Sequence, residues 1–292
     1  MANDSFGIEH PLVTVHDIDA VAARYEALGF APTALGRHPW GTVNRLVMFP
    51  DNFIELIAIG DPDAIARDPV GGQKFGRRVR DRLALGEGIS LLALRSPDAA
   101  TDEQAAVARG AASDGRVDFR RAVRLPDGTQ DEAVVTLAIL PDEAMPGLTM
   151  FLCQQHKPQL VWNPDWLAHP NGADAITAVT YFAPDPLAVM PRAVSLWGES
   201  AVMREQDGLR VSTPGGLLHI FDADAIDTRF PGMPLLPEVF ARAPCGVAIS
   251  VHCASFETAR NRAREVRGAV LQEGRVLIPP DYAGGVILEL HV

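Results

Sequence analysis

Apolar and polar positions along the chain repeat one programme about four times: a period-two run, a helical stripe behind an acidic residue, then further period-two runs ending in a nearly continuous apolar strand. In the first copy Ile8, His10, Leu12 and Thr14 fall on one face of a strand, and Val13 and Val15 on the other. Asp17 or Asp19 caps a helix whose Val21, Tyr25 and Leu28 recur at helical spacing until Gly29 ends it. Residues 30–59 read as strands joined by turns, with Gly36 and Gly41 in one connection and Pro50-Asp51-Asn52 in the hairpin before Phe53. The unit is β-α-β-β-β.

A second copy opens at residues 88–94, continues with a helix over 102–112 and closes at 148–154; a third runs from 175–181 to 216–221. The fourth opens at 246–252, has a helix over 256–267 and closes at 285–292. The stretch 157–174, rich in Pro, Trp and Asn, divides the chain into 1–158, holding modules 1 and 2, and 159–292, holding modules 3 and 4. One such module cannot bury its own sheet, so modules must pair; whether the first pairs with the second or the fourth stays open. Residues 61–85 read as a polar connection whose basic cluster, residues 74–80, is a solvated helix or a site for an anion. The Gly71-Gly72, Gly215-Gly216 and Gly284-Gly285 pairs read as turns.

Composition narrows the function. A hydrophobic content of 47% over 292 residues suffices for a packed interior, and a net charge of −11 argues against nucleic acid and anionic membranes, which require clustered Lys and Arg. Small molecules or further subunits are the expected partners, a homodimer included. Cys153, Cys245 and Cys253 are odd in number, lack CxxC spacing and sit in apolar runs, which reads as a reducing, cytoplasmic compartment. No secretory leader and no membrane-length apolar run is expected. The sequence contains no glycine-rich phosphate loop, GxSxG elbow or HExxH.

Candidate chemistry concentrates in the first copy, which puts a histidine on its first strand and a glutamate on its last. Glu55 lies between Ile54 and Leu56 on an apolar strand, where a carboxylate needs a cation, a donor or an exposed face. His10 alone reads as a hydrogen-bonded core residue or as a ligand. Glu289 repeats the Glu55 pattern, and His156 stands at a strand end. His38, Trp40 and Asn44 sit in a glycine-containing connection that serves turn formation or substrate contact. His169-Pro170-Asn171-Gly172 is a turn on its chemistry.

The β-α-β-β-β repeat with Glu9-His10 at its start, Val15-His16-Asp17-Ile18-Asp19 before the helix, Leu28-Gly29-Phe30 after it and Phe53-Ile54-Glu55-Leu56 at its end resembles the glyoxalase-like branch of the vicinal oxygen chelate superfamily. Arg37-His38-Pro39-Trp40-Gly41-Thr42-Val43-Asn44, Cys153-Gln154-Gln155-His156, Val161-Trp162-Asn163-Pro164 and His169-Pro170-Asn171-Gly172-Ala173 look like recurring motifs of that branch. The resemblance implies an α+β fold of tandem βαβββ modules, about four, pairing into incompletely closed eight-stranded barrels with a divalent metal in the cup. It implies ligands on first and last strands, hence His10 and Glu55, with His156 the preferred third ligand and Glu289 next; Glu55 and Glu289 are the candidate catalytic carboxylates. His38, Trp40 and Asn44 are the candidate substrate contacts.

Alignment on the turn after each first strand puts Ile89, Thr177 and Gly246 opposite His10, so later copies lack its histidine. His219 falls near the Glu55 position in the third copy. The function implied is a metal-dependent lyase or isomerase, using Zn, Ni, Mn or Fe, on a small oxygenated substrate. The alternatives are a protein that binds a small molecule without chemistry, and an extradiol-type dioxygenase.

Overall fold

The computed structural model describes residues 5–67, 75–235 and 237–292. Each quarter of the chain forms a βαβββ module. The first has β1 (Ile8–Thr14), β2 (Gly36–Arg37), β3 (Thr42–Met48) and β4 (Phe53–Ile59); the second has β5 (Gly88–Arg95), β6 (Arg116–Arg124), β7 (Gln130–Leu140) and β8 (Met150–Gln155). The third has β9 (Ala173–Phe182), β10 (Val202–Glu205), β11 (Gly208–Thr213) and β12 (Gly216–Phe221); the fourth has β13 (Cys245–Cys253), β14 (Val270–Gln272), β15 (Arg275–Ile278) and β16 (Ile287–His291).

Modules 1 and 2 share one eight-stranded sheet in the order β2-β3-β4-β1-β5-β8-β7-β6, and modules 3 and 4 repeat it as β10-β11-β12-β9-β13-β16-β15-β14. The first module therefore pairs with the second. Each sheet keeps an open seam between its outermost strands, yet it curls: Ile57 of β4 and Phe119 of β6, far apart in strand order, join one apolar cluster with Leu12, Leu91, Leu137, Phe151 and Trp40.

Local chemistry explains the helices. The Asp17 side chain accepts from Ala20 N–H and starts helix Ile18–Ala27, and Gly29 at φ +87° ends the turn that follows it. Asp98 caps Ala99–Ala108, four residues shorter at its end than the apolar stripe suggests, because Gly110 at φ +98° turns the chain. The fourth helix stops at Ala263. Residues 61–85 are less polar in role than expected: helices Pro62–Arg67 and Phe75–Leu83 form, and Phe75 and Val79 face the apolar cup. Lys74 and the Gly71-Gly72 pair lie outside the described residues.

The two sheets are joined along one buried apolar core that draws on all four modules. The Asn52 side chain exchanges two hydrogen bonds with the backbone of Ile176, at 2.8 and 2.9 Å. The connecting segment is tied down by His169, whose Nδ1 accepts from Ala31 N–H at 3.0 Å while Nε2 lies 2.7 Å from Met48 O. Those partners fix the neutral tautomer with its proton on Nε2.

Candidate active site

A one-residue irregularity in β1 builds the site. Opposite β5, Ile8 pairs with Leu94 and His10 with Ala93, which leaves Glu9 as the extra residue of a bulge. Simple alternation would keep Ile8 and His10 on one face; instead Ile8 enters the core shared by the modules, whereas Leu12 enters the cup. Glu9 and His10 are thereby brought to the same place. Pro11, lacking an N–H, follows the bulge, a position where proline is tolerated within a sheet.

Strand register supplies the partner. β4 runs parallel to β1 with Glu55 beside Leu12, and β3 runs antiparallel to β4 with Asn44 beside Ile57, so both side chains face the cup. Helix caps Asp17, Asp98 and Asp185 and the reciprocal pairing of β1 with β5 set the correspondence between modules. On that register His10 corresponds to Leu91, Ala178 and Ala248, not to Ile89, Thr177 and Gly246. His10, Leu91, Ala178 and Ala248 each stand seven residues before their helix cap, Asp17, Asp98, Asp185 or Ser255, and the sequence alignment set the later turns one or two residues early. Glu55 corresponds to Phe151, His219 and Glu289, the residues paired with Ala93, Thr180 and Ser250.

His10 is buried between two carboxylates. Its Nε2 lies 3.3 Å from Glu55 Oε2 and its Nδ1 3.4 Å from Glu9 Oε1. Both separations exceed the roughly 2.7–2.9 Å of a charge-assisted hydrogen bond, and Nδ1 has no aligned partner. The ring stacks on Phe53 with centroids 4.1 Å apart and meets Phe151 edge-on. Burial pulls the imidazole's pKa down, but Glu55 and Glu9 together leave it raised. Burial alone would raise the Glu55 carboxyl; His10, His38 and Asn44 hold it at about 2.

Asn44 Nδ2 donates to Glu55 Oε1 at 2.7 Å and lies 3.5 Å from His38 Nε2. Because the amide donates, His38 Nε2 is the accepting nitrogen, and Nδ1–H donates to Thr42 Oγ1 at 2.9 Å. Trp40 Nε1–H donates to the same hydroxyl at 2.7 Å and the indole stacks on His38. Burial lowers the His38 pKa to about 4, so a neutral ring stands 3.7 Å from Glu55 Oε1.

The cavity around these groups is narrow, about 40 Å³, and is walled by Trp40, Phe53, Phe75, Phe119 and Phe151. Gln155 reaches it from β8 and donates to Glu9 at 3.2 Å. Cys153 also lines it; all three cysteines are unpaired and buried, and burial next to Glu9 pushes the Cys153 thiol well above its ordinary value. It is a packing residue rather than a thiolate nucleophile.

Of the residues expected from sequence, His10, Glu55, His38, Trp40 and Asn44 meet in this cup. His156 does not: Cys153 and Gln155 take the inward positions of β8, so His156 points outward, exposed, with Nε2 2.8 Å from Thr136 Oγ1. Glu289 belongs to the second sheet, where Arg229 grips both its oxygens at 2.6 and 2.8 Å and Ser250 and Arg275 add further donors. A guanidinium therefore fills the place in the second half that the Glu55 cluster occupies in the first. Phe230, Met233 and Val239 pack into that half's apolar interior.

Sequence reasoning passed over Glu9, Arg121 and Phe119. Arg121 had a legible signal, since Val117, Phe119, Arg121 and Val123 alternate along β6 and put a cation on an otherwise apolar inward face. Among the described residues, no three His, Cys, Asp or Glu side chains close on a common metal position. No described helix is long and apolar enough to cross a membrane.

A family profile described as a glyoxalase-like domain matches residues 8–197. No curated protein matches the chain. Among solved structures, a hypothetical protein from Staphylococcus aureus is similar with a TM-score of 0.67 and 10% identity, covering 98% of each chain. A mutant of 4-hydroxymandelate synthase from Streptomyces coelicolor is similar with a TM-score of 0.59 and 13% identity over 98% of this chain and 92% of that one. A xylose isomerase-like TIM barrel/4-hydroxyphenylpyruvate dioxygenase fusion protein has a TM-score of 0.54 at 14% identity, over 99% of this chain and 49% of its own. At these identities the structures share the fold alone. The sequence match and the paired βαβββ modules establish that the chain belongs to the glyoxalase-like domain family, with the vicinal oxygen chelate fold.

Proposed function

We propose that the cup between modules 1 and 2 is the active site of a metal-dependent lyase or isomerase acting on a small substrate with neighbouring oxygens. The observation that carries this reading is the 3.3 Å separation of His10 Nε2 and Glu55 Oε2. Two ligand atoms each about 2.1 Å from one cation, at right or tetrahedral angles, lie roughly 3.0–3.4 Å apart. The orphaned Nδ1 beside Glu9 fits the same account, because a metal-bound imidazole directs its other N–H to a carboxylate. His10 and Glu55 would hold the cation, and the donor set suits Zn, Ni, Mn or Fe. Bound there, the cation supplies Lewis acidity to a substrate oxygen.

The chain's own groups do the rest. Glu9 orients His10, Asn44 fixes the Glu55 carboxylate, and the aromatic walls keep water from the reacting atoms. His38, neutral and with its Nε2 lone pair facing Glu55 and Asn44, is positioned to take a proton. The test is metal content, by plasma emission spectroscopy, of protein purified without a metal-binding tag. Close to one cation per chain in the parent and in His156→Ala, with little in Glu55→Ala, supports the reading. A metal-free parent that also takes up none on dialysis would sink it and favour ligand binding without chemistry.

A second reading rests on His38. Its Nε2 stands 3.7 Å from Glu55 Oε1, and a shift that brought it together with His10 and Glu55 would make two imidazoles and one carboxylate, a donor set suited to non-haem iron and dioxygen. Oxygen uptake by iron-loaded protein with catechol or 2-oxo acid probes decides between the two.

A further inference from the structure

Within the cup reading just proposed, one charged group has no assigned work. Arg121 reaches inward from β6, two residues after Phe119, and lines both the aromatic cup and the adjoining groove of about 390 Å³ that runs past Leu35, Leu46 and Trp166. Every other ionic group of the cup is engaged: His10 with Glu9 and Glu55, and Glu55 with Asn44. Arg121 is half-buried, and no hydrogen bond or ion pair holds its guanidinium among the described residues. Its Nη1 passes beside Gly36, where a Cβ would clash with Asn44 Oδ1. Burial lowers its pKa and the attraction of Glu55 does not restore it, so the charge lacks a full counterion.

We infer that Arg121 is a specificity residue that binds a carboxylate on the substrate, whose apolar or aromatic body lies in the groove against Leu35, Leu46 and Trp166. A planar guanidinium at the junction of cup and groove matches a two-oxygen anion in a way that an uncharged amide cannot. A Glu9–Glu55–His10 cluster on its own repels such a group; the Arg121 charge offsets that.

The experiment uses tryptophan fluorescence, to which Trp166 in the groove and Trp40 in the cup contribute, with phenylacetate and its uncharged analogue phenylacetamide as probes. Titrations are run on protein stripped of metal with chelator, so a carboxylate on a cation cannot imitate the Arg121 contact. Phenylacetate is expected to bind about tenfold or more tighter than phenylacetamide, the range of a charge-assisted contact. The preference falls to about parity in Arg121→Gln and is partly restored in Arg121→Lys. Equal binding of the two probes by the parent, no saturable response to phenylacetate up to about 10 mM, or an unchanged preference in Arg121→Gln would overturn the inference. Metal content is measured on the same variants: Arg121→Gln retains the parental value, so loss of the metal reading and loss of this one are separately visible.

Discussion

Replacing Glu9 with Gln probes the carboxylate behind His10 while keeping its shape. At 3.4 Å from His10 Nδ1, the Glu9 charge contributes a gross attraction of about 5 kcal/mol to a positive imidazole–metal unit at an effective dielectric near 20. Most of that is offset by the cost of holding a carboxylate that is 1% exposed. Outer partners of metal-bound histidines are worth roughly 10–100-fold in affinity, or about 1.4–2.7 kcal/mol. A glutamine oxygen still accepts Nδ1–H and keeps the tautomer, so Glu9→Gln is expected near the tenfold end and Glu9→Ala near the hundredfold end. Calorimetric titration of metal-stripped protein with manganese or zinc measures this, and thermal melts without metal show whether the fold is intact. Affinity within about twofold of the parent would refute the orienting role. A loss equal to that of Glu55→Ala would instead make Glu9 itself a ligand.

His169→Ala leaves Ala31 N–H and Met48 C=O without their partner in a largely buried place, and is expected to cost about 2–4 kcal/mol in chemical denaturation. Because burial lowers the folded pKa of His169 below its ordinary 6.5, the native state holds the ring neutral while the unfolded chain takes up a proton as pH falls. Stability therefore declines below about pH 6.5, and His169→Gln flattens that part of the profile. Glu289→Gln is expected to destabilise by about 2–4 kcal/mol, the lower end because Arg229 is 39% exposed, with no change in metal content. Burial would raise the Glu289 carboxyl, but Arg229, Ser250 and Arg275 hold it below its ordinary value, so its contribution is present above that value and lost as pH falls through the folded one.

Period-two and helical patterning made the repeat legible because each module must bury one sheet face and one helix stripe, and Asp17 with Gly29 punctuates the first copy as chemistry demands. His10, Glu55, His38, Trp40 and Asn44 were legible as a group because the same module that spells them out also folds them together. Glu9 was not, since only the β1–β5 register reveals the bulge that brings it behind His10. His156 was misplaced by a single residue of strand phase, Gln155 holding the inward position. The role of Glu289 was hidden by Arg229, which comes from a helix 60 residues earlier and could be paired with it only in three dimensions. The expected pairing of modules stayed open for the same reason: which strands meet is decided by contacts between β1 and β5 that no local pattern encodes.

The measurement that bears most directly on the account is anomalous diffraction from crystals soaked in manganese. One strong peak is expected in the first cup, about 2.0–2.2 Å from both His10 Nε2 and a Glu55 oxygen, and none beside Glu289. A peak at His156, or a cup that stays empty while manganese binds elsewhere, would contradict it.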